Sequence, residues 1–153
     1  METIIDAKRY LRENWEIGVK CPCCGQRVQK YKFKFNSGMA RLLIEFRKQD
    51  DWIHVTNHFR RLGLNAHAMN YGKLKFWKLI EKQKKEPTLD KNSNGYWKIT
   101  HIGKDFVDQK VSIPTHAYFF DNKVIGYSSN ELNITEALGK HFSYYELMYG
   151  GDR

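Results

Sequence analysis

The order of short apolar segments in the middle of the chain is the feature that most limits how this protein can fold. Residues 37–77 contain three segments in which apolar residues recur at helical spacing, with turn-forming residues between them. Two extended segments follow, separated by a polar loop at 86–94. Three short helices cannot enclose a core by themselves, so we expect the two strands to cover the open side. This order predicts an α+β fold.

Each predicted helix has a capping residue, an apolar face or a stop. Ser37 is the expected N-cap of the first, whose apolar positions 39, 42, 43 and 46 are spaced three and four apart. Gly63 ends the second helix, and Asn65 caps the third. The predicted helices are 37–48, 56–62 and 66–77, with a short strand or turn at 52–55.

Two local stretches resemble winged-helix (helix-turn-helix) proteins. Gly72 to Glu81 resembles the end of a recognition helix entering the first strand of the wing, where the family often has glycine at the position of Lys78. Trp97 to Phe106 resembles the strand that leaves the wing and the helix after it, with Thr100 as the cap. The resemblance implies that 66–77 is the recognition helix, that 79–85 and 95–99 are the strands of the wing, and that 86–94 is its loop.

A helical wheel divides the predicted recognition helix into two faces. With Leu74 turned inward, the wheel places residues 67, 70, 71 and 77 on the same side, and His67 is interpreted as a packed histidine. The outward face then holds Ala68, Met69, Gly72, Lys73, Lys75 and Phe76. This face would enter the major groove of DNA, although an exposed Phe76 is more typical of a protein interface.

The charge of the chain favours a polyanionic partner. Twenty-six lysines and arginines against seventeen acidic residues give a net charge of +9, which attracts double-stranded DNA. The wing carries most of the expected phosphate contacts, and Lys30, Lys32 and Lys34 form a second basic stripe that has a solvated surface as its equal alternative. The predicted DNA-binding residues are Met69, Lys73, Lys75, Lys82, Lys84, Lys85, Lys91, Lys98, Arg60 and Arg61.

The cysteines form one cluster near the N-terminus. Cys21 and Cys24 have the CxxC spacing with which two thiolates bind one Zn²⁺, and Pro22 and Gly25 suit the tight turn. No second CxxC completes four ligands, and Cys23 is adjacent to Cys24. A structural zinc held by Cys21 and Cys24 is therefore weighed against a turn that has lost its metal, and a redox pair is the weaker alternative.

Segments on both sides extend the central part. A helix at 3–15 and the cysteine knuckle make up residues 1–36, and the winged helix is predicted for 37–108. In the tail, 109–153, a β-hairpin at 117–127 turns at 121–122. Asn133 with Glu136, and Ser143 with Glu146, are predicted capping boxes of two short helices. We expect the tail to pack onto the winged helix.

The whole chain resembles a group of small, largely phage-encoded proteins of uncharacterised activity. The resemblance lies in Cys21 to Gly25, Met39 to Arg41, the winged-helix middle and Ala137 to Gly139. It implies a fold and a source. The primary hypothesis is DNA binding in transcriptional or replicative control, and the alternative is a host-interaction protein that binds or inhibits a host protein.

Several classes of protein are disfavoured by what the sequence lacks. It contains no nucleophile elbow, Walker loop, zincin motif or dinucleotide fingerprint, so we do not expect an enzyme. No apolar run is long enough to cross a membrane, and the first residues do not form a secretion signal. A reducing cytoplasm is therefore the expected location. A homodimer is left open, since winged helices often pair and no coiled-coil segment enforces it.

Overall fold

A computed structural model describes residues 3–14, 18–28, 30–84, 95–120 and 123–150. It is a mixed α+β structure with small antiparallel sheets, which confirms the prediction at the level of fold class. The helices are α1 (Ile4–Asn14), α2 (Ser37–Gln49), α3 (Val55–Arg61), a 3₁₀ helix (Tyr71–Trp77), α4 (His101–Val107), α5 (Ile134–Leu138) and α6 (Tyr144–Tyr149). The strands are β1 (Val19–Lys20), β2 (Arg27–Val28), β3 (Tyr31–Lys34), β4 (Ile53–His54), β5 (Ile80–Lys82), β6 (Tyr96–Ile99), β7 (Ile113–Pro114), β8 (His116–Phe120), β9 (Lys123–Tyr127) and β10 (Glu131–Leu132).

Helix α2 is the centre of the hydrophobic core. Its predicted apolar face is buried, and so are Ala40 and Ile44 outside that face, because α5 and α6 pack on the far side of the helix. Glu45 is also buried, and its carboxylate pairs with Arg41 at 2.6 Å and with Lys48 at 3.6 Å. The cap differs from the prediction by one residue, since the side chain of Asn36 rather than Ser37 accepts the Met39 N–H at 3.0 Å. Both residue types suit an N-cap.

The central sheet has the order β4-β6-β5, with every pairing antiparallel. Strand β4 leads directly into α3, whose first turn is capped by the His54 ring nitrogen accepting the Asn57 N–H. Strand β6 leads into α4, where the Thr100 hydroxyl accepts the Gly103 N–H at 3.1 Å as predicted. The loop at 86–94 lies outside the described residues, so the strands are described only where they pair.

The predicted third helix is wrong over its first half. Residues 66–70 form turns, Asn70 adopts a left-handed conformation with φ of 62°, and a regular 3₁₀ helix begins only at Tyr71. Asn65 still caps the first turn, because its side chain accepts the Ala68 N–H at 3.2 Å. Asparagine tolerates the left-handed region better than other residues with a side chain, so Asn70 is a favourable place for the break.

A second sheet has the strand order β3-β8-β9. In it, β3, which carries Lys32 and Lys34 of the second basic stripe, pairs with the predicted hairpin of β8 and β9. Tyr31 is opposite Phe119, and Phe33 is opposite Ala117, so these side chains share one face. The hairpin is confirmed, whereas its predicted turn at 121–122 lies outside the described residues. Strands β7 and β10 form a separate pair.

The tail shares the core of the central segment. Ile113, Leu132, Ile134 and Leu138 belong to the same buried cluster as α2. Both predicted caps are present: Asn133 and Glu136 form a reciprocal capping box, and the Ser143 hydroxyl accepts the Glu146 N–H. The Tyr144 hydroxyl donates to the Val107 carbonyl at 2.7 Å, which ties α6 to the end of α4. Among the described residues, no helix has the length and apolar character needed to cross a membrane.

Candidate nucleic-acid interface

The segment from His67 to Phe76 lines an open surface cavity of about 500 Å³. Two of the predicted DNA-binding residues, Lys73 and Lys75, lie on it together with Asn70. Lys75 is exposed and Lys73 is half-buried. Two ammonium groups beside a concave surface form a site suited to an anionic ligand.

A second cavity of about 390 Å³ joins α3 to the same segment. Arg60 lines it, as do residues of the turn between α3 and the third helical segment. His67 lines both cavities, so the two are neighbours, with Arg60 lining the second and Lys73 and Lys75 lining the first. Arg61 is exposed on α3 but lines neither cavity. We call this the α3–3₁₀ surface, carrying Arg60, His67, Asn70, Lys73 and Lys75.

Lys73 rests against an aromatic cluster formed by Phe33 and Phe119 of the second sheet and Phe76 of the 3₁₀ helix. Its ammonium nitrogen lies 5.0 Å from the ring centroid of Phe119, 5.2 Å from that of Phe76 and 5.5 Å from that of Phe33. These separations are within the range of cation–π attraction. Lys73 thus contacts three rings, whereas the more exposed Lys75 lies within cation–π range of the Phe76 ring, at 5.8 Å from its centroid.

Two residues of the predicted outward face are directed into the protein. Phe76 is only 8% exposed and stacks on Phe119 with centroids 5.1 Å apart, which contradicts its predicted exposure. Met69, predicted to enter the DNA groove, is half-buried and packs against the core near Gly38. The position of Met69 accompanies the break at Asn70, which lies between it and the 3₁₀ helix. Phe76 follows the break, on the same helix as Leu74, and is buried because Phe119 of the second sheet covers it.

Three polar residues that the helical wheel placed on the inward side line the first surface cavity instead. His67 was interpreted as packed but is exposed, with its Nε2 atom 3.3 Å from the Thr56 hydroxyl and its ring edge-on to Tyr71. Asn70 and Tyr71 line the first cavity. Asn70 and Gly72 are both poor helix formers and lie two positions apart, a signal that could have indicated the break.

The wing lysines do not form one cluster. Lys82 is opposite Trp97 in the β5–β6 register and so shares its face, and Trp97 contacts Tyr71 beside the first cavity. Lys98 is on the other face, where its ammonium lies 5.9 Å from the ring centroid of Trp52. Lys98 is therefore separated from the α3–3₁₀ surface, so the predicted DNA-binding lysines of the wing do not all lie on one face. Lys84 is exposed just beyond β5, while Lys85 and Lys91 lie outside the described residues.

The second basic stripe occupies the opposite face of β3 from the aromatic cluster. Lys32 and Lys34 are exposed, and Lys30 lies over the ring of Tyr118 at 4.5 Å. His116 is opposite Lys34 in the register. Partial burial, followed by the positive charges of Lys32 and Lys34, lowers the pKa of His116 and favours its neutral form.

The cysteine knuckle is a tight loop between β1 and β2. The Cys21 carbonyl accepts the Gly25 N–H at 2.8 Å, and the Cys21 N–H donates to the Gln26 carbonyl at 2.7 Å. Backbone N–H groups of Cys24 and Cys23 also donate to the Cys21 sulfur, which lowers the pKa of its thiol. The described residues contain no group of three or more His, Cys, Asp or Glu able to hold a metal ion.

Comparisons with known proteins place the chain in no family: no family model, curated protein or solved structure matches it. The interpretation of this surface therefore depends on its own geometry and chemistry.

Proposed function

We propose that this protein binds double-stranded DNA through a winged-helix arrangement. Helices α2 and α3, the segment ending in the 3₁₀ helix, and the β4-β6-β5 sheet follow the order expected for that fold. Strands β5 and β6 would form the base of its wing. In such a domain the third helical segment faces the major groove. The 3₁₀ geometry winds this seven-residue segment more tightly than the α-helix of a typical recognition helix.

The observation that carries the proposal is the grouping of basic residues on the α3–3₁₀ surface. Arg60 and Lys75 line two neighbouring cavities that share His67, and we assign them contacts with DNA phosphates. Lys82 lies on the side of the sheet that faces this surface and extends the positive charge toward the wing. The partly buried Lys73 adds positive potential behind them.

The composition of the surface favours weak discrimination between DNA sequences. Arginine, asparagine and glutamine are the usual readers of base edges. Arg60, Asn65 and Asn70 are the members of this set that line the two cavities, and Met69 is half-buried against the core. Most of the affinity would then come from phosphate contacts. The proposed role is transcriptional or replicative control by a phage-encoded protein that has only a modest preference among DNA sequences.

The test compares two charge-reversal variants in fluorescence anisotropy with random duplex DNA over a salt series. Arg60→Glu with Lys75→Glu alters the two exposed ends of the surface. Lys110→Glu with Lys140→Glu makes the same charge change at exposed lysines outside both cavities. We expect the first pair to weaken binding and reduce the slope of log K against log salt by about two, since each phosphate contact contributes about one. The control pair should leave the slope nearly unchanged.

Equal losses in the two variants would mean that net charge alone drives the binding and would contradict a defined interface. Absence of binding to DNA even at low salt would favour the second candidate, a protein that binds a host protein. Tyr145 and Tyr149 support that candidate, because they are 69% and 74% exposed on α6 with ring centroids 6.4 Å apart. Exposed tyrosine pairs are typical of protein interfaces.

A further inference from the structure

The number of ligands is what limits a metal site at the cysteine knuckle. A closed structural zinc site needs four ligands, and the CxxC pair provides two. All three cysteines and all six histidines of the chain lie in the described residues. Within that part of the chain, no group of three or more His, Cys, Asp or Glu side chains is placed to hold a metal ion.

The loop itself is arranged as a metal-binding turn. The Cys21 carbonyl accepts the Gly25 N–H at 2.8 Å, and Gly25 takes a left-handed conformation with φ of 75° that closes the turn. The loop therefore offers two of the four ligands that a zinc site needs, and the described residues of one chain do not offer the other two.

The tip of this hairpin is accessible to another molecule. Pro22, Cys23, Cys24 and Gly25 are exposed, and a Cβ built on Gly25 would meet no atom within 4 Å. Two copies related by a two-fold axis would present the same pair of cysteines to each other, because a two-fold interface joins identical surfaces.

We propose that Cys21 and Cys24 from two copies of this chain bind one Zn²⁺ between them, so that the metal joins two molecules at their hairpin tips. The four thiols release their protons to solvent as the four zinc–sulfur bonds form. Cys23 is given no ligand role, because Cys21 and Cys24 have the CxxC spacing with which two thiolates bind one Zn²⁺. The dimer is thus metal-dependent and uses a surface separate from the α3–3₁₀ surface.

The test uses the full chain, stripped of metal and kept under a reductant so that disulfides cannot form. Zn²⁺ is added, the mass is measured by sedimentation, and the metal content is measured on the same fractions. We expect a dimer with one zinc per two chains that a chelator returns to monomer. Co²⁺ in place of Zn²⁺ should give the absorption of a tetrahedral site with four sulfur ligands.

Cysteine variants assign the ligands. Cys21→Ser and Cys24→Ser should each abolish the zinc-dependent dimer, whereas Cys23→Ser, the matched control, should retain it. The Arg60→Glu, Lys75→Glu variant should also dimerise normally, so failure of the DNA proposal does not affect this one. The proposal is overturned by zinc bound to a monomer, by the absence of zinc binding, by a dimer that survives Cys21→Ser, or by loss of the dimer in Cys23→Ser.

Discussion

At the scale of single residues, Gly103 sets how closely α4 approaches the central sheet. A Cβ at this position would lie 2.3 Å from the Leu79 carbonyl oxygen and 2.7 Å from the Ile99 side chain. The approach is held by Thr100, whose hydroxyl donates to the Lys78 carbonyl at 2.6 Å and accepts the Gly103 N–H. Backbone atoms cannot move aside as a flexible side chain would, so the position requires glycine.

Gly103→Ala is therefore expected to lower the free energy of unfolding by about 1–3 kcal/mol, the usual cost of overpacking a core. Urea denaturation followed by tryptophan fluorescence measures it. Gly126→Ala is the control, because a Cβ there meets nothing within 4 Å and the backbone conformation is ordinary. The control should change stability by no more than about 0.5 kcal/mol. Similar effects at the two positions would contradict the close packing of α4.

At the scale of secondary-structure elements, Lys78 ends the 3₁₀ helix in a conformation that favours glycine. Its φ is 60°, and its N–H donates to the Lys75 carbonyl at 2.9 Å. The next N–H, of Leu79, donates to the Leu74 carbonyl at 3.3 Å. This is a left-handed helix C-cap, where glycine is the common residue because it has no Cβ. The local resemblance to winged-helix proteins had indicated glycine at this same place.

We expect Lys78→Gly to raise the free energy of unfolding by about 0.5–1 kcal/mol, the relief of left-handed strain less the entropy that glycine loses on folding. Lys78→Ala removes the same charge but keeps a Cβ, so it should give no such gain. Thermal denaturation of both variants measures the difference. An equal gain in the alanine variant would assign the effect to charge rather than to backbone conformation.

At the scale of the whole molecule, the tail completes the core that the central segment begins. Leu138 is 1% exposed, and α5 packs directly on α2. The Trp77 indole N–H donates to the Pro114 carbonyl at 2.7 Å, and the Tyr127 hydroxyl donates to the Phe76 carbonyl, so the third helical segment is also bonded to the tail. The predicted boundary at residue 108 therefore lies between two segments of the sequence that share one hydrophobic core.

Leu138→Ala should accordingly destabilise the whole protein, by about 2–5 kcal/mol for a buried leucine. Tryptophan fluorescence and far-ultraviolet circular dichroism should report one coincident unfolding transition in urea, because Trp77 and Trp97 share the core with Leu138. Tyr149→Ala, at an exposed position of α6, is the control and should change stability little. A variant in which the tail unfolds first while the tryptophan signal stays native would contradict a shared core.

Most helix positions and caps, and the hairpin, could be predicted from the sequence because they depend on residues close together in the chain; the third helical segment was the exception. Thr100, the Asn133–Glu136 box and the spacing of apolar residues in α2 are examples. Seven of the ten predicted DNA-binding residues, all but Met69, Lys85 and Lys91, are basic residues that the structure describes. Which of them share one surface was not predictable from the sequence. Whether two lysines share a face depends on strand register, which separates Lys98 from Lys82.

The sequence by itself determined an α+β chain with these local elements, its positive charge and a cysteine pair, since composition, periodicity and capping act over a few residues. Only the tertiary structure decided that Phe76 is buried, that Met69 turns inward and that His67 joins two surface cavities. The partner that covers Phe76 is Phe119, which comes from a strand far along the chain. Burial at such positions is set by contacts between distant segments, and no local pattern encodes them.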